Sequence, residues 1–387
     1  MAGSNPFAIV LKDALKQAGQ AYEQPSLLTG LAKHVRESYT NADMHRRSAG
    51  VEREMLRSLR ALNSQYDPED MKLLDGIDIY MGLTNLKIRG AKSWVTDILA
   101  NAEDQPWTIK PTPKPDLSEE AMEVVKQKLM MEVASYGLTF DLKDRAQYLL
   151  AAAQKHADAV ASNASERMEK AIKDKMLEGG WRMVFEQFVH DLMVHPAAIL
   201  KGPVAVRTQE LKWVGSELKP VNKLVYKIVR VDPLRIYPSP NSVCPNSGAY
   251  IIERMDMSPS ELADCMDLPF FNEEAIRSVF TRFPNGHREM LNVDTTADAL
   301  NKTANDTHDK VDCQYHVLVY YGKVKGELLL EHGVAGVDPQ RMYEAEVWSC
   351  ADTVVRAILN PHPLGKRPFY ACCYRQAVKA SWDRRKT

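Results

Sequence analysis

Cysteine is absent from the first 243 residues of this 387-residue chain. The six that follow, at positions 244, 265, 313, 350, 372 and 373, contain no CxxC pair, and Cys372 and Cys373 are adjacent. That spacing suits neither a zinc knuckle nor an ordinary disulfide framework, so reduced thiols in a cytosolic assembly environment are expected. A charge imbalance is absent too: 50 Lys and Arg stand against 51 Asp and Glu, a net charge of -1. A protein that grips phosphate backbones over a broad surface carries a basic excess, which weakens that reading here. No run approaches about 18 uncharged apolar residues, so no membrane span is expected. The apolar run at 7–11 is too short for a signal peptide, and Lys12 and Asp13 follow it. The absence of GxxxxGK[ST] argues against a P-loop ATPase, and GxGxxG, GxSxG and HExxH are missing as well. What is present, 45% hydrophobic and 26% charged residues, is the composition of a folded, soluble protein.

The pattern changes along the chain from helical to strand-like, which predicts an α+β fold. Short helical signals at 9–21 and 27–39 lie in a polar segment, 1–50. In 51–66, Val51, Met55, Leu59, Leu62 and Tyr66 share one helical face, with Arg53, Arg57 and Arg60 on a solvated basic side. Asp67 and Pro68 open another helix. A helix over 83–99 offers Leu83, Leu86, Trp94, Ile98 and Leu99 for burial, and the proline-punctuated stretch 106–113 reads as an extended strand or strand edge. Ser118 caps a helix to about 135. A long helix at 142–178 follows, with a seam of Ala146, Leu149, Ala153, Ala157, Val160 and Ala164, expected to lie along another helix. Gly179 and Gly180 end it, and a helix over 181–194 comes next.

From Pro196 the apolar runs shorten to 198–200, 204–206, 211–214 and 224–231, the last half-exposed in an antiparallel sheet. A strand at 249–252, a capping box at Ser258 and Glu261, and a helix capped by Asn272 precede a polar loop at 284–312. A strand series is expected at 314–321, 327–330, 342–349, 353–359 and 369–374. The domain reading is therefore 1–50, a polar helical segment; 51–195, a helical region containing the helix 142–178; 196–376, a β-rich region with short capped helices; and 377–387, a basic tail.

Chemistry-bearing residues are sparse. His190, Asp191 and His195, with His156 and Asp158 upstream, are the residue types an HD phosphohydrolase uses to hold a divalent metal. Nothing in the spacing fixes their approach, and helix-surface polar positions are the preferred reading. Asp232-Pro233 and the prolines around His362 read as turns. Trp107 and the tyrosines of 315–321 have the chemistry to stack on bases, but core packing is preferred. No catalytic, cofactor-binding or metal-binding residue is assigned, and no cofactor is expected.

Three segments in order carry a resemblance. The first is Met81-Gly82-Leu83-Thr84-Asn85-Leu86-Lys87-Ile88-Arg89, then Trp94-Val95-Thr96-Asp97-Ile98-Leu99, then Pro106-Trp107-Thr108-Ile109-Lys110-Pro111-Thr112-Pro113. The second is Val231-Asp232-Pro233-Leu234-Arg235-Ile236-Tyr237-Pro238-Ser239-Pro240, followed by Tyr250-Ile251-Ile252-Glu253-Arg254. The third is Arg367-Pro368-Phe369-Tyr370 leading into Cys373-Tyr374-Arg375. In these segments the chain resembles the portal, or head-to-tail connector, proteins of short-tailed bacteriophages. The resemblance implies a wing-like fold and a structural subunit that is not an enzyme. It implies a twelve-fold ring of copies at a capsid vertex of the virion, assembled in the host cytoplasm. The implied partners are the terminase large subunit, the major capsid and scaffolding proteins, the tail adaptor proteins and the double-stranded DNA that passes through the channel, with no membrane. In that family the third segment is followed by a Gly-rich turn and further helices, whereas here the basic tail follows, as expected of a truncated chain. The alternatives are the HD-type phosphohydrolase and another phage head or tail assembly protein.

Overall fold

The computed structural model describes residues 30–73, 79–99, 107–112, 118–135, 142–215, 217–240, 242–244, 246–287, 296–297, 300, 314–362 and 365–373. The expected helix at 9–21, the basic tail at 377–387 and most of the polar loop at 284–312 lie outside these residues. The architecture is α+β, with helices in the N-terminal half and antiparallel sheets in the C-terminal half. The chain divides into two compact units that are discontinuous in sequence: 1–91, 190–201 and 230–387 form the first, and 92–189 with 202–229 form the second. The division cuts across the linear boundaries expected at 50 and 195.

The first unit is built on a five-stranded antiparallel meander, β3-β4-β5-β6-β7. Its strands are β3 (Ile236–Pro238), β4 (Tyr250–Met257), β5 (Tyr315–Lys325), β6 (Met342–Cys350) and β7 (Thr353–Leu359). Side chains alternate across a strand, and β5 is buried at eight successive positions from Tyr315 to Gly322. Tyr315, Val317, Val319 and Tyr321 join one core with Ile251, Leu262, Ile276, Val279 and Phe369. Leu318, Tyr320 and Val324 join a second core with Leu31, Val35, Tyr39, Tyr237 and Ile252. Both faces of the sheet are therefore covered, which explains why β5 reads as an almost unbroken apolar run. The tyrosines of 315–321 are core residues, as preferred.

Helix α1 (Gly30–Ser48) covers the second face, outrunning the expected end at 39. Leu31, Ala32, Val35, Tyr39 and Ala42 are its buried stripe. Its far end is fixed by Arg46, whose Nη1 donates to the carbonyls of Leu234 at 3.0 Å and Ile236 at 2.9 Å, with the guanidinium 4.4 Å over the Tyr237 ring. Helix α2 (Val51–Leu62) buries Met55 and Leu59 as predicted. Its arginines are paired rather than merely solvated: Arg53 with Glu69, Arg57 with Asp70, and Arg60 with the poorly exposed Asp67. Asp67 also caps the short helix α3 (Pro68–Met71), accepting from Glu69 N.

Helix α4 (Leu83–Leu99) has its expected bounds but not its expected burial: Leu83, Leu86, Trp94, Ile98 and Leu99 are all exposed, Trp94 at 73% and Ile98 at 72%. Periodicity tells which residues share a face, not whether anything in the same chain covers it. Residues 107–112 are irregular, not a strand. In the second unit, α5 (Glu119–Ser135) packs along α6 (Leu142–Glu178), so the long helix has its neighbour within its own chain. The described burial falls at Val125, Ala152 and Ala161; Ala153, Ala157 and Val160 are half-buried and Ala164 is exposed. The seam is thus displaced from the one expected, with Ala146 and Leu149 outside the described side chains. Gly180, at φ 72°, turns the chain after α6, and α7 (Trp181–Val194) follows.

Two long strands continue from α7. β1 (Ala197–Val214) and β2 (Glu217–Val231) pair as a ribbon in place of the expected series of short strands. The charges between the apolar runs, Arg207, Glu210 and Lys212, sit in continuous strand because a ribbon open to water needs no apolar residue at every step. Only 197–201 of β1 also pair with β8 (Phe369–Cys373). The capping box at Ser258 and Glu261 starts α8 (Pro259–Asp264), and Asn272 caps α9 (Glu273–Arg282). The expected strand at 327–330 is instead α10 (Gly326–Leu330), which buries Leu329; a run of three leucines carries no period to separate helix from strand.

Candidate assembly surface

The residues that suggested a metal centre are engaged elsewhere. Asp191, 1% exposed near the end of α7, accepts two hydrogen bonds from Arg230, from Nε at 2.5 Å and Nη2 at 2.9 Å. Such a fork is the strong geometry for a guanidinium and a carboxylate. Burial pushes the Asp191 carboxyl up, and the Arg230 contact opposes that. His195 is buried beside this pair, and its Nδ1 has no hydrogen-bond partner. Burial pushes its imidazole below the ordinary value, against the pull of Asp191 and Asp232. His156 and Asp158 belong to the second unit, His190, Asp191 and His195 to the first. Among the described residues no three His, Cys, Asp or Glu side chains gather as metal ligands. Asp232 caps the 3-10 turn Pro233–Arg235, accepting from Leu234 N, the turn role expected of it. Cys244, Cys265, Cys350 and Cys372 are free thiols.

Several buried charges of the first unit are matched in pairs. Lys201 Nζ donates to Glu253 Oε2 at 2.5 Å. Glu346 takes Arg356 at 3.2 Å and the Trp348 indole N–H at 2.7 Å. Arg367 bonds Glu344 and the Ala249 carbonyl. These pairs lock strands and loops to one another; removing one partner of a buried pair leaves a desolvated charge behind.

The second unit presents the opposite surface. Met168, Ile172 and Leu177 on α6, Met122 and Met130 on α5, and Trp94 and Ile98 on the last turns of α4 are exposed. On the ribbon, Leu211, Trp213 (72% exposed), Leu218, Leu224 and Tyr226 are exposed too. Beyond 201 the ribbon has two strands and, among the described residues, no third. The ribbon lies close to the end of α6, where a Cβ placed on Gly179 would sit 3.0 Å from the Tyr226 carbonyl oxygen. On long helices and an open ribbon, these exposed apolar side chains are available to pack against another surface. Helical periodicity picks out the positions on α4 but assigns them to the interior. No protein-family model matches the chain, and no curated protein matches it. No helix among the described residues is long and apolar enough to cross a membrane.

Proposed function

We propose that this chain is a structural subunit of a phage portal, self-associating into a closed ring at a capsid vertex. What carries the reading is the ordered series of portal-like segments between residues 81 and 375. The surface of the second unit supports it: a ring subunit meets its neighbours through two different faces, so every copy needs apolar surface that its own fold leaves open. A near-neutral net charge supports it as well, because a conduit lined with many phosphate contacts would hold DNA rather than let it slide. In this reading the ring docks the terminase large subunit during packaging, meets capsid, scaffolding and tail adaptor proteins, passes double-stranded DNA, and performs no chemistry. Native mass spectrometry with negative-stain microscopy of the purified chain tests it. Closed rings of about a dozen copies are expected. A chain that stays monomeric at all concentrations overturns the reading, and open tubes or fibres favour a different head or tail assembly protein.

A further inference from the structure

The exposed apolar residues of α4 fall on a single stripe. Leu83, Leu86, Gly90, Trp94 and Ile98 follow one another at steps of three and four residues, the spacing that stacks positions along one side of a helix. The four large side chains are all exposed. Gly90 stands at the middle of the stripe, and a glycine inside a helix costs about 1 kcal/mol relative to alanine. Nothing among the described residues lies within 4 Å of a Cβ placed there, so packing within the chain does not require the gap. The stripe therefore has a notch at its centre, bounded along the helix by Leu86 and Trp94.

The β1–β2 ribbon offers a flatter counterpart. Glu210 of β1 lies 3.8 Å from Lys223 of β2, so these two side chains share a face of the ribbon, and Lys223 also pairs with Glu178 of α6 at 3.0 Å. Side chains alternate across a strand, which puts Leu211 and Trp213 of β1 on the opposite face together with Leu218, Leu224 and Tyr226 of β2. All five are exposed, whereas Val225, on the Lys223 side, is buried. Aromatic side chains bury about 150–250 Å² each when covered. With Trp94, Trp213 and Tyr226 and the exposed leucines and isoleucine beside them, stripe and ribbon face together offer roughly 1,000 Å², the lower bound for a specific interface. Neither surface reaches that size alone.

We propose that the ribbon face of one copy packs on the α4 stripe of the next, with Trp213 seated in the Gly90 notch between Leu86 and Trp94. The inference rests on the ring reading and names the contact that builds the ring. The two surfaces differ, so the contact is head-to-tail, and an open assembly keeps one free surface of each kind until it closes. Tryptophan is among the residue types that most often anchor an interface, and each copy supplies one to either side.

The test uses two variants of the full chain, Trp213→Ala and Gly90→Gln, with assembly read by native mass spectrometry and analytical ultracentrifugation. Trp213 is exposed and Gly90 has open space around it. Urea midpoints of the dissociated chains should therefore match the parent or, for Gly90→Gln, exceed it, since glutamine is the better helix former. Each variant alone should assemble about thirtyfold more weakly, the loss expected when an interface anchor is removed or its seat is filled. Mixed in equal amounts, the two should form heterodimers and stop there. The intact ribbon of Gly90→Gln meets the intact stripe of Trp213→Ala, and the two surfaces left over are both damaged. A parent chain that never self-associates overturns the ring reading and this contact with it. A parent chain that assembles while either variant assembles equally well overturns the contact alone, as does a mixture that gives no heterodimer or builds larger assemblies.

Discussion

In the first unit, β5 sends Val317, Val319 and Tyr321 to one covered face and Leu318 and Tyr320 to another. In the second, α6 and the β1–β2 ribbon are as long as anything in the molecule, yet the described buried apolar residues of 92–189 and 202–229 are few: Val125, Ala152, Ala161, Val189 and Val225. The contrast is not one of secondary-structure content alone. It separates a unit that builds extensive buried cores from a unit whose helices and strands bury few apolar side chains among the described residues. Apolar surface is worth roughly 25 cal/mol per Å² once covered. The first unit therefore draws more of its stability from its own buried cores than the second does.

The sharpest way to break this comparison is one truncation in each unit. Ile251, fully buried near the start of β4, should cost about 2–5 kcal/mol as Ile251→Ala, read by urea unfolding. Ile98→Ala, on the exposed face of α4, should lie within about 0.5 kcal/mol in the dissociated chain and should instead weaken ring assembly. Equal losses in the dissociated chain would mean that the α4 face is already covered, and the distinction between the units would fail.

Legibility in the sequence followed the same division. The capping box at Ser258 and Glu261, the Asp67 and Asn272 caps and the limits of α6 and α7 were readable because each depends on chemistry within a few residues. The burial of α4 is not legible locally, because coverage is decided by distant chain, or by another chain. The continuity of β1 is hidden because charged residues on an open ribbon look like strand ends. The HD-like residues had a signal, but Arg230, 39 residues beyond Asp191, occupies the carboxylate that a metal would need.

A smaller effect is expected at the junction after α6. Gly180 has φ 72°, and nothing lies within 4 Å of a Cβ placed on it. Gly180→Ala therefore adds backbone strain without a clash, about 1–2 kcal/mol. Because it ends a helix of the second unit, the loss should appear as faster amide hydrogen exchange in the last turns of α6, while exchange in β4 and β5 is unchanged. Faster exchange throughout the sheet of the first unit would show that the two units unfold as one and would dissolve the comparison.

The smallest effect is a slope. Burial holds the His195 imidazole below its ordinary value, with Arg230 and His190 pushing the same way and Asp191 and Asp232 opposing. The unfolded chain takes up a proton near pH 6.5, whereas the folded chain does so only at lower pH. Between those two points the unfolded state binds more protons, so stability is greatest above about pH 6.5 and falls as the pH drops. His34, His332 and His362, also in the first unit, are displaced downward chiefly by burial and act with the same sign. Asp191, whose carboxyl burial raises, contributes with the opposite sign. The His195 share is therefore read as a difference: urea midpoints from pH 7.5 down to 5.5 should fall less steeply in His195→Gln than in the parent chain. An unchanged or steeper fall would mean that the folded chain protonates His195 as readily as the unfolded one, and that the first unit is more open at this corner than its buried neighbours indicate.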